Sequence, residues 1–327
     1  MKNRSHPPLP SAAFCERVLD LATDLQQIPG PTFSEEKRAQ WAYARMLEAG
    51  LADVTFDACG NVVGRLPGSG HRPVVLSAHL DTVFPVHISL AMERTSTIIT
   101  GPGIGDNSLG VAGLIGLAWH LKHNHFRNPG DIWFAANIGE EGLGNLKGMR
   151  ALVDRFSNQP LAYIVLEGMG LGEIFHRGLA VRRFRIRVQT PGGHSWIDYG
   201  KPSAIHVLAD LATRLTSLPI PRDPRSSINI GTFHGGTGIN TIASEASMEV
   251  DLRSTSMEVL NRLASQVKRE AQSENAYDIH CEVEAIGDRP AGEIPGDHPL
   301  VDLALRCLNN LGVKPHPGIG STDANIP

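Results

Sequence analysis

The sequence predicts an α/β protein whose mainly parallel sheet is flanked by helices and is interrupted by an inserted α+β domain. Three observations carry this prediction. Short apolar runs typical of buried strands alternate with helical segments through the first half. From about residue 179 the order of elements becomes β-α-β-β-α-β, which is the ferredoxin-like order. After Pro299 the α/β style resumes. We therefore predict one domain from residues 1–178 and 288–327, and a second, inserted domain from residues 179–287.

The elements of the first domain follow from periodicity, caps and breakers. Ser34 is expected to cap the second helix, and Pro29-Gly30-Pro31 ends the first. Helices are predicted over Ser11–Ile28, Ser34–Ala49, Ser108–His120 and Leu146–Asp154, and strands over Val54–Phe56, Asn61–Leu66, Pro73–Ala78, Asp131–Asn137 and Leu161–Leu166. Because strands alternate with helices, the sheet is expected to be mainly parallel.

The inserted region starts with alternating arginine and apolar residues, as a half-buried strand should. Strands are predicted over Val181–Gln189, Ser227–Phe233, Ala246–Leu252 and Asp278–Ile286, and helices over Pro202–Leu218 and Met257–Ala271. A last helix is predicted from Pro299 to near Leu311.

Composition excludes several classes of protein. The 327 residues are 41% hydrophobic and 20% charged, with a formal net charge of -4, which gives no support for binding nucleic acid or an anionic membrane. The longest apolar stretch, Gly110 to Trp119, is too short to span a bilayer. Four scattered cysteines without a Cys-x-x-Cys motif suit a reduced, cytoplasmic protein.

His79 and Asp81 leave the end of a predicted buried strand, two residues apart. On a strand this spacing puts both side chains on one face. A metal-bound histidine usually passes its other ring N–H to an oxygen acceptor, often a carboxylate, so the pair suits a metal ligand and its orienting partner. A loop histidine next to a helix-capping aspartate is the alternative.

Four further acidic residues, Asp106, Glu140, Glu141 and Glu167, are expected where buried strands end. Open α/β sheets place their sites at this edge. Histidine with carboxylates favours zinc, or cobalt or manganese, over calcium or magnesium. Two metals sharing a carboxylate could activate water and polarise a carbonyl. The glycine-rich loop before Asp106 lacks the lysine of a P-loop, and neither Gly-x-Ser-x-Gly nor His-Glu-x-x-His occurs.

These motifs give a specific resemblance over nearly the whole chain. The chain resembles the M20 family of metallopeptidases in its blocks Ser77–Val83, Gly103–Ser108, Gly139–Gly142, Glu167, Gly192–Ser195, Gly235–Asn240 and Asp251–Arg253. In that family the catalytic domain binds metal, and the insertion is the dimerisation domain. The resemblance therefore implies a metal-dependent hydrolase that cleaves an amide bond in short peptides or N-acyl amino acids.

The resemblance also implies a role for each matching residue. His79 and Glu167 would bind the first metal, Asp106 would bridge both metals, and Glu141 would bind the second. Asp81 would lie behind His79, and Glu140 would be the general base. In the insertion, His194 would reach a partner subunit's site to stabilise the oxyanion. Asn240 and Arg253 would contact the substrate carboxylate. On local pattern alone, an exposed turn histidine and a surface salt bridge remain open for His194 and Arg253.

Further expectations follow from the resemblance. It implies a cis peptide bond between Asp106 and Asn107, a homodimer formed through the insertion, and one or two zinc ions per subunit. The family continues beyond the block Ser321–Pro327 with a histidine ligand, so the second metal is expected to have only Asp106 and Glu141 here. A dimeric binding protein that keeps the fold without catalysis is therefore the alternative function.

Overall fold

The computed structural model describes residues 10–168 and 170–327 and divides them into two compact units. Unit 1 comprises residues 10–174, 302–316 and 322–327, without Met169. Unit 2 comprises residues 175–301 and 317–321. The domain boundaries at residues 179 and 287 stay predictions.

Helices and strands alternate along the described chain. The helices are α1 (Ala12–Gln26), α2 (Glu36–Glu48), α3 (Leu109–His123), α4 (Lys147–Phe156), α5 (Ala204–Thr216), α6 (Met257–Gln272) and α7 (Pro299–Asn310). The strands are β1 (Ala52–Phe56), β2 (Val62–Leu66), β3 (His71–His79), β4 (Glu93–Arg94), β5 (Ile99–Thr100), β6 (Gly130–Asn137), β7 (Ala162–Val165), β8 (Glu173–Gly178), β9 (Ala180–Gln189), β10 (Gly193–His194), β11 (Ser226–Gly235), β12 (Thr241–Ile242), β13 (Glu245–Ser254), β14 (His280–Arg289), β15 (Gly292–Glu293) and β16 (His316–Gly320).

The main sheet of unit 1 has the strand order β1-β2-β6-β3-β7. Strands β6, β3 and β7 run parallel, whereas β1 and β2 form an antiparallel hairpin on the β6 edge. The α/β prediction is confirmed. His79 pairs in register with Asn137, so the carboxyl ends of β3 and β6 meet at one edge of the sheet.

Helices cover both faces of this sheet, because alternate residues of each strand point to opposite sides. Leu76 and Ala78 of β3 join a core with residues of α1, α2 and α3. Val75 joins a second core with Met149 and Leu152 of α4. The result is a three-layer arrangement that leaves the carboxyl edge of the sheet to the loops.

Helix α2 starts later than predicted. It begins at Glu36, its N-cap is Glu35, and no side chain caps it, so the predicted Ser34 cap is wrong. The Ser34 amide instead donates to the carbonyl of Pro31 in a turn. The Glu35 carboxylate is turned inward and is only 3% exposed.

Unit 2 has the predicted ferredoxin-like order. Its antiparallel sheet has the order β11-β13-β9-β14, and α5 and α6 pack on one face. Leu208 of α5 and Leu260 of α6 are fully buried against β9 and β13 residues such as Phe184 and Val250. Arginine and acidic side chains form ion pairs across the same three strands β9, β13 and β14.

Among residues 10–168 and 170–327, no helix combines the length and the hydropathy that a bilayer-spanning segment needs. The cytoplasmic location stays a prediction.

Candidate metal centre

His79 stands at the end of β3 and is 1% exposed. Its Nδ1 lies 3.0 Å from the carbonyl oxygen of Asp81, which can only accept a hydrogen bond, so Nδ1 carries a proton. Nε2 faces two carboxylates, 3.1 Å from Oδ1 of Asp106 and 3.4 Å from Oε2 of Glu167. A neutral imidazole in this tautomer presents the Nε2 lone pair to the place where the carboxylates converge, as a metal ligand does.

Asp106 and Glu167 reach His79 from different elements. Glu167 follows β7 as predicted, but Asp106 does not follow a strand of the main sheet. It lies in the turn Ile104–Ser108 that leads into α3, and glycines before it let that turn fold over the sheet edge. The peptide bond between Asp106 and Asn107 is cis, as predicted.

Gly168 lets these two loops approach each other. A Cβ atom at this position would lie 1.4 Å from the carbonyl oxygen of Gly105, which is a backbone atom and cannot turn away. The absence of a side chain at Gly168 is therefore a condition for bringing Asp106 and Glu167 together on His79.

Glu140 and Glu141 follow the end of β6 and form a second group with His79. One ligand atom from each of the three residues lies within 4.8 Å of the others, as is also true of His79, Asp106 and Glu167. Glu140 is 6% exposed. Burial, followed by the charges of Glu140 and Asp106, raises the pKa of Glu141 to about 7.

Asp81 holds the loop that carries the two glutamates. Its Oδ1 accepts a hydrogen bond from the Glu140 amide at 3.0 Å, and its Oδ2 accepts from the Glu141 amide at 2.8 Å and from Thr32 Oγ1 at 2.9 Å. The same carboxylate is 3.5 Å from Nδ1 of His79. The ring therefore contacts both the carbonyl and the carboxylate of Asp81, and the carboxylate also fixes the neighbouring loop.

Asp323 also belongs to this buried group, although the sequence analysis assigned it no role. It is fully buried, and its Oδ2 accepts a hydrogen bond of 2.6 Å from Nδ2 of Asn137. Burial, followed by the charge of Glu140, raises the pKa of Asp323 to about 8. Thr322 and Asn325 cap the turn that carries it. An aspartate in a Thr-Asp-x-Asn turn has no local signal that separates it from any other turn residue.

The residues predicted for substrate contact lie in unit 2. His194 is exposed, its amide donates to Oδ2 of Asp198, and its Nδ1 accepts from the Trp196 amide at 3.2 Å. Asn240 is adjacent, because its carbonyl accepts a hydrogen bond of 3.0 Å from the Ser195 amide. Arg253 stands apart on β13, where its Nε donates to Asp251 Oδ1 at 2.8 Å.

The donor set of unit 1 fits a divalent cation. Burial opposes protonation of His79, but hydrogen bonds to Asp106, Asp81 and Glu167 outweigh it and raise the pKa of His79 well above its usual value. The carboxylates thus attract positive charge to the position that Nε2 faces. Imidazole nitrogen with carboxylate oxygens is a donor set of zinc, cobalt or manganese sites. Metal ligands are required to be deprotonated, and a bound cation would lower the raised pKa of Glu141.

Comparisons with known proteins agree with this geometry. Residues 61–174 match the family model of Peptidase family M28, and residues 176–278 match the model of the Peptidase dimerisation domain. The first match contains the five unit 1 residues proposed to hold or serve the metal, which are His79, Asp106, Glu140, Glu141 and Glu167. The second contains His194, Asn240 and Arg253.

Relatives cover most of the chain. The chain is 24% identical over 328 residues to the protein YqjE of Bacillus subtilis, covering 95% of this chain and 86% of YqjE. It spans about half the length of some other curated relatives that it matches.

Solved structures share the fold. The chain superposes on a tripeptidase from Staphylococcus aureus with a TM-score of 0.76 at 23% identity, covering 95% of this chain and 86% of the other. It superposes on YxeP of Bacillus subtilis, described as a dinuclear metal binding peptidase from the M20 family, with a TM-score of 0.67 at 18% identity, covering 97% and 86%. With a peptidase domain that is followed by the dimerisation domain, the chain is a metallopeptidase of the M20 type.

Proposed function

We propose that this chain hydrolyses an amide bond in short peptides or N-acyl amino acids, with zinc as the metal and cobalt or manganese as substitutes. The convergence of Asp106 and Glu167 on Nε2 of His79, with Glu140 and Glu141 beside it, carries this proposal. The printed descriptions of its structural neighbours, a tripeptidase and a dinuclear metal binding peptidase, support it.

The metal would be held by four residues of unit 1. His79 and Glu167 would serve the first site, Glu141 the second, and Asp106 both. When bound, the metal would supply a Lewis acid that polarises the scissile carbonyl and lowers the pKa of a water molecule.

Glu140 would act as the general base. Its carboxylate is nearly buried within the second group around His79, where it can take a proton from the attacking water and pass it to the leaving amine. The Asp81 carboxylate fixes the Glu140 backbone, so the base is oriented before substrate arrives.

Substrate contacts would come from unit 2. His194 would stabilise the oxyanion of the tetrahedral intermediate in the partner subunit of a homodimer, and Asn240 and Arg253 would hold the substrate carboxylate. The match to the Peptidase dimerisation domain supports the homodimer. Sedimentation of the purified chain tests this part, since we expect a dimer at micromolar concentration. A monomer would count against catalysis across subunits.

One experiment tests the function as a whole. The purified chain is analysed for bound metal and assayed against dipeptides, tripeptides and N-acyl amino acids with added zinc, cobalt or manganese. We expect metal-dependent hydrolysis that a chelator abolishes and metal restores. Metal binding without hydrolysis of any substrate would favour the non-catalytic binding protein, which the comparisons do not favour.

A further inference from the structure

Four consecutive backbone amides, from Ile138 to Glu141, donate to side chains that lie elsewhere in unit 1. The Ile138 amide donates to Oδ1 of Asn61 at 3.0 Å, and the Gly139 amide donates to Oε1 of Glu35 at 3.1 Å. The next two amides donate to the Asp81 carboxylate. None of these bonds belongs to a helix or a sheet, so the segment takes its shape from the side chains around it.

We propose that Glu35 is a positioning residue for Glu140, acting through the amide of Gly139. The inference rests on the proposed function, in which Glu140 is the base. Gly139 has a positive φ of 67°, so the chain turns sharply at the residue that precedes Glu140. Glu35 fixes that turn, because it supplies the acceptor for the amide of the turning residue. A small displacement of a catalytic group lowers the rate strongly, so the turn must be held closely.

The segment that carries Glu35 is itself tied to the main sheet. Pro31 forms a parallel bridge with Thr82, and the Thr82 amide donates to the Gly30 carbonyl at 2.9 Å. Arg38, 1% exposed, donates from Nη1 to the Leu80 carbonyl at 2.9 Å. The acceptor is therefore attached to the strand end that carries His79, which keeps the base and the metal ligands in one frame.

The burial of Glu35 has no other evident use. It directly precedes α2, where a glutamate would ordinarily face solvent and favour the helix N-terminus. Here its side chain is 3% exposed, and burial raises the pKa of its carboxyl. Burying an ionisable group is costly, so its placement beside the Gly139 amide needs a compensating role.

Two variants of Glu35 test the proposal. Glu35→Gln keeps an acceptor oxygen of the same reach, whereas Glu35→Met keeps the length and removes the acceptor. Amide hydrogen exchange of residues 138–141 is measured in metal-free protein, and kcat, KM and zinc content are measured in zinc-loaded protein. We expect Glu35→Met to exchange about tenfold faster in this segment and to lose about 10–100-fold in kcat, with KM and zinc content unchanged. Glu35→Gln should stay within about threefold of wild type.

A control separates positioning from general destabilisation. Asn128 is 4% exposed, and its amide group donates to the carbonyls of Leu66, Pro67 and Gly130, near the start of β6. Asn128→Leu should lower the unfolding midpoint but leave exchange at 138–141 and kcat near wild type.

Three results would overturn the inference: wild-type exchange in Glu35→Met, wild-type kcat in Glu35→Met, or equal losses in Glu35→Met and Glu35→Gln. Should Glu35→Met not fold, Glu35→Asp withdraws the acceptor by one methylene and gives the same comparison with Glu35→Gln. If the wild-type chain hydrolyses nothing, the proposed function is wrong, and the exchange arm still decides whether Glu35 holds the segment.

Discussion

The segment Asn137–Glu141 of unit 1 and the β10–β12 hairpin of unit 2 both carry proposed catalytic residues, yet they are built in opposite ways. In the first, Glu140 is 6% exposed and consecutive amides donate to buried side chains. In the second, His194 is exposed, and next to it Trp196 is 85% exposed. The proton-transfer and metal-binding groups are thus oriented by the chain itself, whereas the hairpin is exposed within a single chain. Preorganisation is expected where charge develops, and substrate contacts can be completed by binding.

Replacing the buried base should have the largest effect. Glu140→Gln keeps size and shape but cannot accept a proton, so kcat should fall by about 10²–10⁴-fold. Metal content and the unfolding midpoint should change little. Glu141→Gln is the matched neighbour and should instead lower metal occupancy. If Glu140→Gln strips the metal and keeps turnover once metal is restored, the two roles are reversed.

Replacing the exposed histidine should have a smaller effect on rate and none on the metal. His194→Ala removes the proposed oxyanion donor, so kcat should fall by about 10²–10³-fold, with metal content at the wild-type value. His206→Ala, an exposed histidine on α5 in the same unit, is the control. Equal rates for the two variants would remove His194 from the mechanism.

Catalysis across subunits can be tested by mixing those two inactive variants. In a dimer of one Glu140→Gln and one His194→Ala subunit, one site has both groups intact. Random exchange should therefore restore about a quarter of wild-type activity. A mixture as inactive as its components would show that both groups act within one chain.

Gly168 should affect metal affinity more than folding. Gly168→Ala places a Cβ on the carbonyl of Gly105, which pushes apart the loops of Asp106 and Glu167. Metal affinity should fall by about 10–100-fold, as measured by competition with a chelator. Gly113→Ala in α3 has open space around its Cβ and should leave affinity unchanged. Wild-type affinity in both variants would mean that the loop approach at Gly168 is not required.

The charged sheet face of unit 2 should give the smallest effect. Burial acts against ionisation of Asp251, but hydrogen bonds from Arg253 and Arg183 prevail and lower its pKa below 3.8. Because the folded-state pKa is depressed, the stabilisation is present above the unfolded pKa and is lost as pH falls through the folded value. Asp251→Asn should cost about 1 kcal/mol or less at pH 7, and the difference should vanish below about pH 3.

Denaturant unfolding at the two pH values measures this difference. Asp288→Asn, which removes a more exposed pair with Arg182, is the control and should cost less. A difference for Asp251→Asn that grows as pH falls would contradict the sign of the pKa shift.

Much of the fold and of the metal centre could be predicted because the signals are local. A two-residue period shows buried strands, and His79, Glu140 and Glu167 all follow such strands, whose carboxyl ends meet at one edge. The family blocks added Asp106 and the cis bond, which no periodicity contains.

The supporting residues could not be predicted in this way. Glu35 resembles an ordinary first-turn glutamate, and Asp323 resembles a turn residue close to the end of the sequence. Their partners, the Gly139 amide and the Asn137 side chain, are 104 and 186 residues away. Local propensity has no information on which distant amide a carboxylate will meet.

The sequence by itself determined the order of elements, the ferredoxin-like insertion and the candidate ligands, because periodicity, caps and ligand chemistry depend on neighbouring residues. Only the tertiary structure decided that Asp106 arrives from a turn before α3, that Gly168 permits this approach, and that Glu35 faces inward. These features depend on backbones and carboxylates that are distant in sequence and meet only when the sheet edge and its loops pack. Burial then makes each unmet amide or charge costly enough to select one arrangement.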